Sequence, residues 1–152
     1  TMSTMELRYI ALLSILAISF LSHSCNNENQ FSSISEHEYS EVSDKIIEFD
    51  ACFAVNETDY YIYIFSPYCG HCRKIQNTII EFSLRELFPI YFVYYIEEIK
   101  VTNDVFLTIG ASSISELAIL GVPTLIYIED KIVKFNIAGA GQILKIIEPY
   151  LT

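Results

Sequence analysis

The chain of 152 residues is long enough for one domain with a substantial core and short for two. With 9 Lys and Arg against 19 Asp and Glu, for a formal net charge of −10, it lacks the basic face that phosphate neutralisation requires, which argues against a nucleic-acid partner. A hydrophobic share of 52%, with 11 Tyr and 10 Phe, argues against disorder outside the N-terminal region.

Tyr9 to Ser22 reads YIALLSILAISFLS, an uncharged apolar run of 14 residues. That is too short for a comfortable membrane span and suits the core of an export signal, so residues 1–25 are expected to be a signal peptide. Ser22-His23-Ser24 places small residues at the two positions a signal peptidase inspects, directly ahead of Cys25. Leu21-Ser22-His23-Ser24-Cys25 resembles a loose bacterial lipoprotein box, in which Cys25 becomes the lipidated N-terminus; His23 departs from the usual pattern. The alternatives are a plain secretory signal cut after Ser24 or an uncleaved anchor. Residues 26–38, rich in Asn, Ser and Glu, read as a flexible tether with His37 solvated.

The folded domain is expected over 39–152. From Glu41 to Val55, apolar residues at three- and four-residue intervals predict an amphipathic helix carrying Cys52 on its buried side. Asn56-Glu57-Thr58 breaks it and also matches a glycosylation sequon. Tyr60 to Phe65 reads as a buried strand, Ser66-Pro67-Tyr68 as a turn, and His71 to about Leu87 as a helix closed by Pro89. Ile90 to Ile96 predicts a second buried strand, while Val101 to Ile109 fits a short strand or an irregular loop. Ser113-Ile114-Ser115-Glu116 matches a capping box, predicting a helix from Ile114 to Leu120 that stops at Gly121. Leu125 to Ile128 and Ile132 to Ile137, joined by Glu129-Asp130-Lys131, predict an antiparallel hairpin. Gly139 and Gly141 open a last helix, Gln142 to about Tyr150. This order predicts an α/β fold: a mixed sheet of four to five strands covered by helices on both faces.

Where the first strand hands over to its helix lie Cys69 and Cys72, separated by Gly70 and His71. Unpaired N–H groups at a helix N-terminus make the local potential positive, which favours a thiolate there. The strand–Pro–aromatic–CGHC–helix unit, the Gly121-Val122-Pro123-Thr124 segment before a hairpin and the glycine-led last helix together resemble the thioredoxin superfamily, over roughly Tyr39 to Thr152. The resemblance implies that Cys69 is the attacking thiol, Cys72 the buried resolving thiol and Pro123 a cis residue. Tyr68, Val122, Pro123 and Thr124 would border the substrate groove, with Val122 offering backbone hydrogen bonds to an extended client. Gly70-His71 is the dipeptide of protein disulfide isomerases, and His71 there favours the Cys69 thiolate. Isomerases stand about 90 mV above thioredoxin, roughly 4 kcal/mol, enough to change the direction of electron flow. Two departures stand out: Tyr63 occupies the position of a buried carboxylate that moves protons for the resolving cysteine, and Tyr68 replaces the usual Trp.

The expected function is therefore an exported, membrane-anchored thiol–disulfide oxidoreductase acting on client proteins outside the cytosol, reset by a redox partner and needing no cofactor. The alternative is a binding or accessory module for export or maturation of a secreted peptide, similar to bacteriocin-associated thioredoxin-like proteins. A purely structural Cys69–Cys72 disulfide closes too small a loop to constrain much chain entropy. Zinc is disfavoured because Cys69, His71 and Cys72 lack an evident fourth ligand, and haem attachment because Arg73, not His, follows Cys72.

Overall fold

The computed structural model describes residues 37–152. The export signal with Cys25, and the tether as far as residue 36, lie outside the described residues. At the centre runs β1 (Asp59–Phe65), parallel to β2 (Ile90–Tyr94) on one side and antiparallel to β3 (Thr124–Glu129) on the other; β3 pairs antiparallel with β4 (Ile132–Ala138). The mixed sheet thus has the order β2-β1-β3-β4. The parallel pair β1 and β2 is joined by a crossover through α1 (Gly70–Leu84), the chain from β2 to β3 passes β1, and β3 and β4 meet through a two-residue turn with Asp130 and Lys131 both at positive φ.

Successive residues of β1 point to opposite faces, and every one from Tyr60 to Phe65 is buried, so the strand feeds two cores. Tyr61, Tyr63 and Phe65 join the first, under α1 and α2 (Ala140–Ile147), with Ile75, Ile79, Phe82, Ile143 and Ile147. Tyr60, Ile62 and Ile64 join the second, under short 3-10 turns and the chain between β2 and β3, with Cys52, Ile99, Leu117 and Ile119. Helical segments therefore cover both faces, with the α-helices and the 3-10 segment Tyr39–Lys45 on one and 3-10 turns alone on the other.

Three expectations are corrected. The helix over Glu41 to Val55 is two 3-10 segments, Tyr39–Lys45 and Phe49–Ala51, separated by an extended stretch in which Ile46 bridges Phe92 and the Ile47 amide donates to the Phe92 carbonyl at 2.9 Å. The cause is that Val42 belongs to the first core and Cys52 to the second, so the segment passes round the sheet edge, which one straight helix cannot do. The helix over Ile114 to Leu120 is a single 3-10 turn, Ile114–Glu116; Leu117, Ala118 and Ile119 are all buried, Ile119 bridging Val101, and three consecutive buried positions do not fit one helical stripe. Glu116 accepts from the Ser112 amide at 2.9 Å and the Ser113 hydroxyl at 3.1 Å instead of closing a capping box.

Third, His37 and Glu38 are part of the fold rather than of a solvated tether. The His37 amide donates to Asn77 Oδ1 at 3.1 Å, and Gln76 Nε2 on α1 donates to the His37 carbonyl at 2.8 Å and to Glu38 Oε2 at 3.3 Å.

Candidate active site

Ser66, Pro67 and Tyr68 turn the chain out of β1, with the Cys69 amide donating to the Ser66 carbonyl at 3.1 Å. Cys69 is thereby placed as the N-cap of α1, in extended conformation (φ −82°, ψ 119°), and its own carbonyl accepts the Arg73 amide at 3.1 Å as the first intrahelical bond. Cys72 falls one turn inside the helix, on the stripe continued by Ile75 and Ile79, and is 1% exposed. The spacing thus separates the two thiols by environment: Cys69 is partly accessible, Cys72 is sealed in the first core. Both are free thiols.

The Gly121–Thr124 segment comes back against this turn. The Val122–Pro123 peptide is cis, and the Cys69 thiol donates to the Val122 carbonyl at 3.5 Å. Pro123 and Thr124 are buried, and the Thr124 hydroxyl donates to the Gly121 carbonyl at 2.5 Å, tying the segment to the start of β3. Of the residues singled out by sequence, the fold therefore brings Cys69, Cys72, Val122 and Pro123 together. Thr124 supports the segment from within. Gly70 and His71 are exposed on the first turn of α1, and His71 makes no hydrogen bond to either sulfur. Tyr68 is 91% exposed, standing outward beside the thiols.

Burial pushes the Cys72 thiol up to about 12; the Ser66 backbone offsets part of this and the neighbouring Cys69 adds to it. Beneath the thiols lie Tyr63 and Tyr39, both in the first core with Cys72. Their side chains interleave with Phe65 and Phe92: the Tyr39 ring stacks on Phe65 at 3.9 Å, and the Tyr63 ring on Phe65 at 5.7 Å. The two tyrosine hydroxyls interact with each other, short of full hydrogen-bond geometry, and reach no other hydrogen-bond partner.

Sequence reasoning missed two contributors. Tyr39 enters the site from the far side of the sequence, a contact no local spacing encodes. Tyr94, Tyr95 and Ile96, read as the end of a buried strand, lie beyond or at the end of β2 and are 36–44% exposed. Since β2 runs parallel to β1 and Phe65 is in register with Tyr94, these side chains sit at the same sheet end as the dithiol. The rule that sites form at the carboxyl ends of parallel strands was the available signal. Among the described residues no group of three or more His, Cys, Asp or Glu side chains is placed to hold a metal ion.

No protein-family model and no curated protein matches the chain. Among solved structures it is similar to thioredoxin f2 of Chlamydomonas reinhardtii, at 16% identity over 69% of this chain and 94% of that one, with a TM-score of 0.48. It is likewise similar to a Plasmodium falciparum thioredoxin (18% identity, 70% and 98% coverage, TM-score 0.48) and to mitochondrial thioredoxin 3 of Saccharomyces cerevisiae (18%, 72% and 98%, TM-score 0.46). By its own strand order, its Gly121–Thr124 segment packed against the strand-to-helix turn and its closing hairpin and helix, the region 37–152 has an α/β thioredoxin-like fold.

Proposed function

We propose that the protein is an exported, lipid-anchored thiol–disulfide oxidoreductase working through Cys69 and Cys72. The observation that carries this reading is the pairing of unlike thiols: one accessible at the N-cap of α1 and hydrogen-bonded to the carbonyl before a cis-proline, the other buried a turn behind it. Cys69, as thiolate, attacks one sulfur of a client disulfide and the other client sulfur leaves with a proton, giving a mixed disulfide. Cys72 then loses its proton and attacks the Cys69 sulfur, so a Cys69–Cys72 disulfide forms and the client departs as a dithiol. Run in reverse from the oxidised protein, the same steps install a disulfide, and a redox partner protein resets the pair. His71 biases the couple toward oxidation of clients, and the Val122 backbone beside Cys69 aligns an extended client chain. The apolar run ahead of Cys25, read as an export signal, supports a location on the outer face of a membrane, where disulfides persist.

Insulin reduction and the reduction potential of the pair test the proposal. The wild type is expected to reduce insulin and Cys69→Ser to lose that activity entirely. A wild type indistinguishable from Cys69→Ser would make the domain a binding or accessory module instead. Mass spectrometry of the mature N-terminus tests the anchor, a lipid-modified Cys25 being the expected result and an unmodified one overturning it.

A further inference from the structure

Two hydroxyls of the first core, those of Tyr39 and Tyr63, are unexplained polar groups close to the dithiol. Tyr63 is 0% and Tyr39 8% exposed; their buried hydroxyls interact with each other, short of full hydrogen-bond geometry, and neither has any other hydrogen-bond partner. A buried hydroxyl short of a full hydrogen bond destabilises the fold, and phenylalanine, as at the adjoining Phe65 and Phe92, fills such space without that penalty. Their titratable neighbours are few. The titratable groups acting on Tyr63 are Tyr39, Cys72 and Cys69, and those acting on Tyr39 are Tyr63, Cys72, Cys69 and Tyr94. No carboxylate or cation is among them.

Resting on the oxidoreductase reading above, we propose that Tyr63, backed by Tyr39, is a hydrogen-bond donor poised for the Cys72 thiolate that forms when the mixed disulfide is resolved. While Cys72 is a thiol it accepts poorly, and the Tyr63 hydroxyl stays without a full hydrogen bond. As the Cys72 S–H proton leaves and negative charge builds on sulfur, the Tyr63 O–H turns that charge into a charge-assisted hydrogen bond, and the Tyr39 O–H donates to the Tyr63 oxygen behind it. Burial drives both phenols well above their ordinary range, so they remain neutral donors and do not act as bases. The Cys72 sulfur forms its bond to the Cys69 sulfur, the Cys69–client bond breaks, and the departing client thiolate takes up the equivalent of the proton Cys72 released. Tyr63 thus acts through Cys72 as a positioning residue.

The full-length reduced protein, reacted with dithiobis(nitrobenzoate), tests this directly. Attack by Cys69 releases a first coloured thiolate, and resolution by Cys72 releases a second. In Tyr63→Phe the first release keeps its wild-type rate, the second slows about tenfold, and its pH profile moves upward. Tyr39→Phe shifts the second phase the same way by less, and both variants gain thermal stability because a buried hydroxyl short of a full hydrogen bond is gone. An unchanged second phase in both variants, or one slowed with no shift in pH profile, overturns the donor role alone. A wild type that releases no thiolate from Cys69 overturns the oxidoreductase reading and the donor role with it.

Discussion

Cys69 and Cys72 are three residues apart, yet solvent reaches one and not the other, and proton affinity follows. Burial pushes the Cys72 thiol from 9.0 up to about 12, and burial does the same to the isolated, fully enclosed Cys52. Folding therefore holds two protons that the unfolded chain gives up near pH 9. The stability these thiols contribute is complete below that pH and drains as pH rises toward about 12, at ~1.4 kcal/mol per pH unit for each. Denaturant titrations of the reduced protein are expected to show this slope before the buried tyrosines begin to add theirs. The protein oxidised at Cys69–Cys72 retains only the Cys52 share, so equal slopes in the two redox forms would refute the assignment. His71 makes a different prediction. It is the second residue of α1, where proline fits because the first-turn N–H groups have no intrahelical acceptor. His71→Pro is expected to lower the reduction potential by about 30 mV or more against a glutathione buffer, and no change would remove His71 as the tuning residue. At this scale the sequence was legible where chemistry is local: the CGHC turn and Pro123 are contiguous words. Tyr39 beneath Tyr63 was not, because the two meet only once the first 3-10 segment folds against the sheet.

Elements were legible when they keep one fixed relation to the sheet and not when the chain changes face. The strands β1, β3 and β4 and the helix α1 each keep one relation to the sheet; the apolar runs mark the strands within a residue, and α1 starts one residue and ends about three residues before its expected bounds. The stretch from Tyr39 to Val55 keeps helical spacing in its sequence but serves both cores, and the spacing alone cannot say that the face switches at Ile46. The observed path makes a distinguishing prediction. In a continuous helix the Ile47 amide would donate back to Ser43; here it donates across to Phe92. Its hydrogen exchange should match that of β2 amides, and Ile47→Pro, which removes the donor at the sheet edge, should cost about 1–3 kcal/mol. An Ile47 amide exchanging at the rate of surface turns would contradict the lateral pairing.

For the whole domain, the sheet divides the interior into two cores that share β1, and the dithiol belongs to only one of them, the α-helical side, while Val122 packs against both. The N-terminal end of the fold is part of that side. The backbone of His37 and the side chain of Glu38 hold Gln76 on α1, and Glu38 and Glu41 close a reciprocal cap that starts the 3-10 segment carrying Tyr39. Tyr39 in turn stacks on Phe65 below the dithiol. Where the chain is cut should therefore affect chemistry as well as stability. A chain of residues 35–152 keeps these bonds, whereas one of residues 39–152 loses the His37 and Glu38 partners of the nearly buried Gln76 and the cap of the segment. The shorter chain is expected to be less stable by about 1–3 kcal/mol, a fall in Tm of several degrees. It should also resolve the Cys69 mixed disulfide more slowly, because Tyr39 is no longer fixed behind Tyr63, while attack by Cys69 at the helix N-cap is unaffected. Comparing the two chains by thermal melts and by the two phases of thiolate release checks both parts. Equal melts would show that the arm contributes nothing to the fold, and equal second phases would show that Tyr39 is held by its ring packing alone.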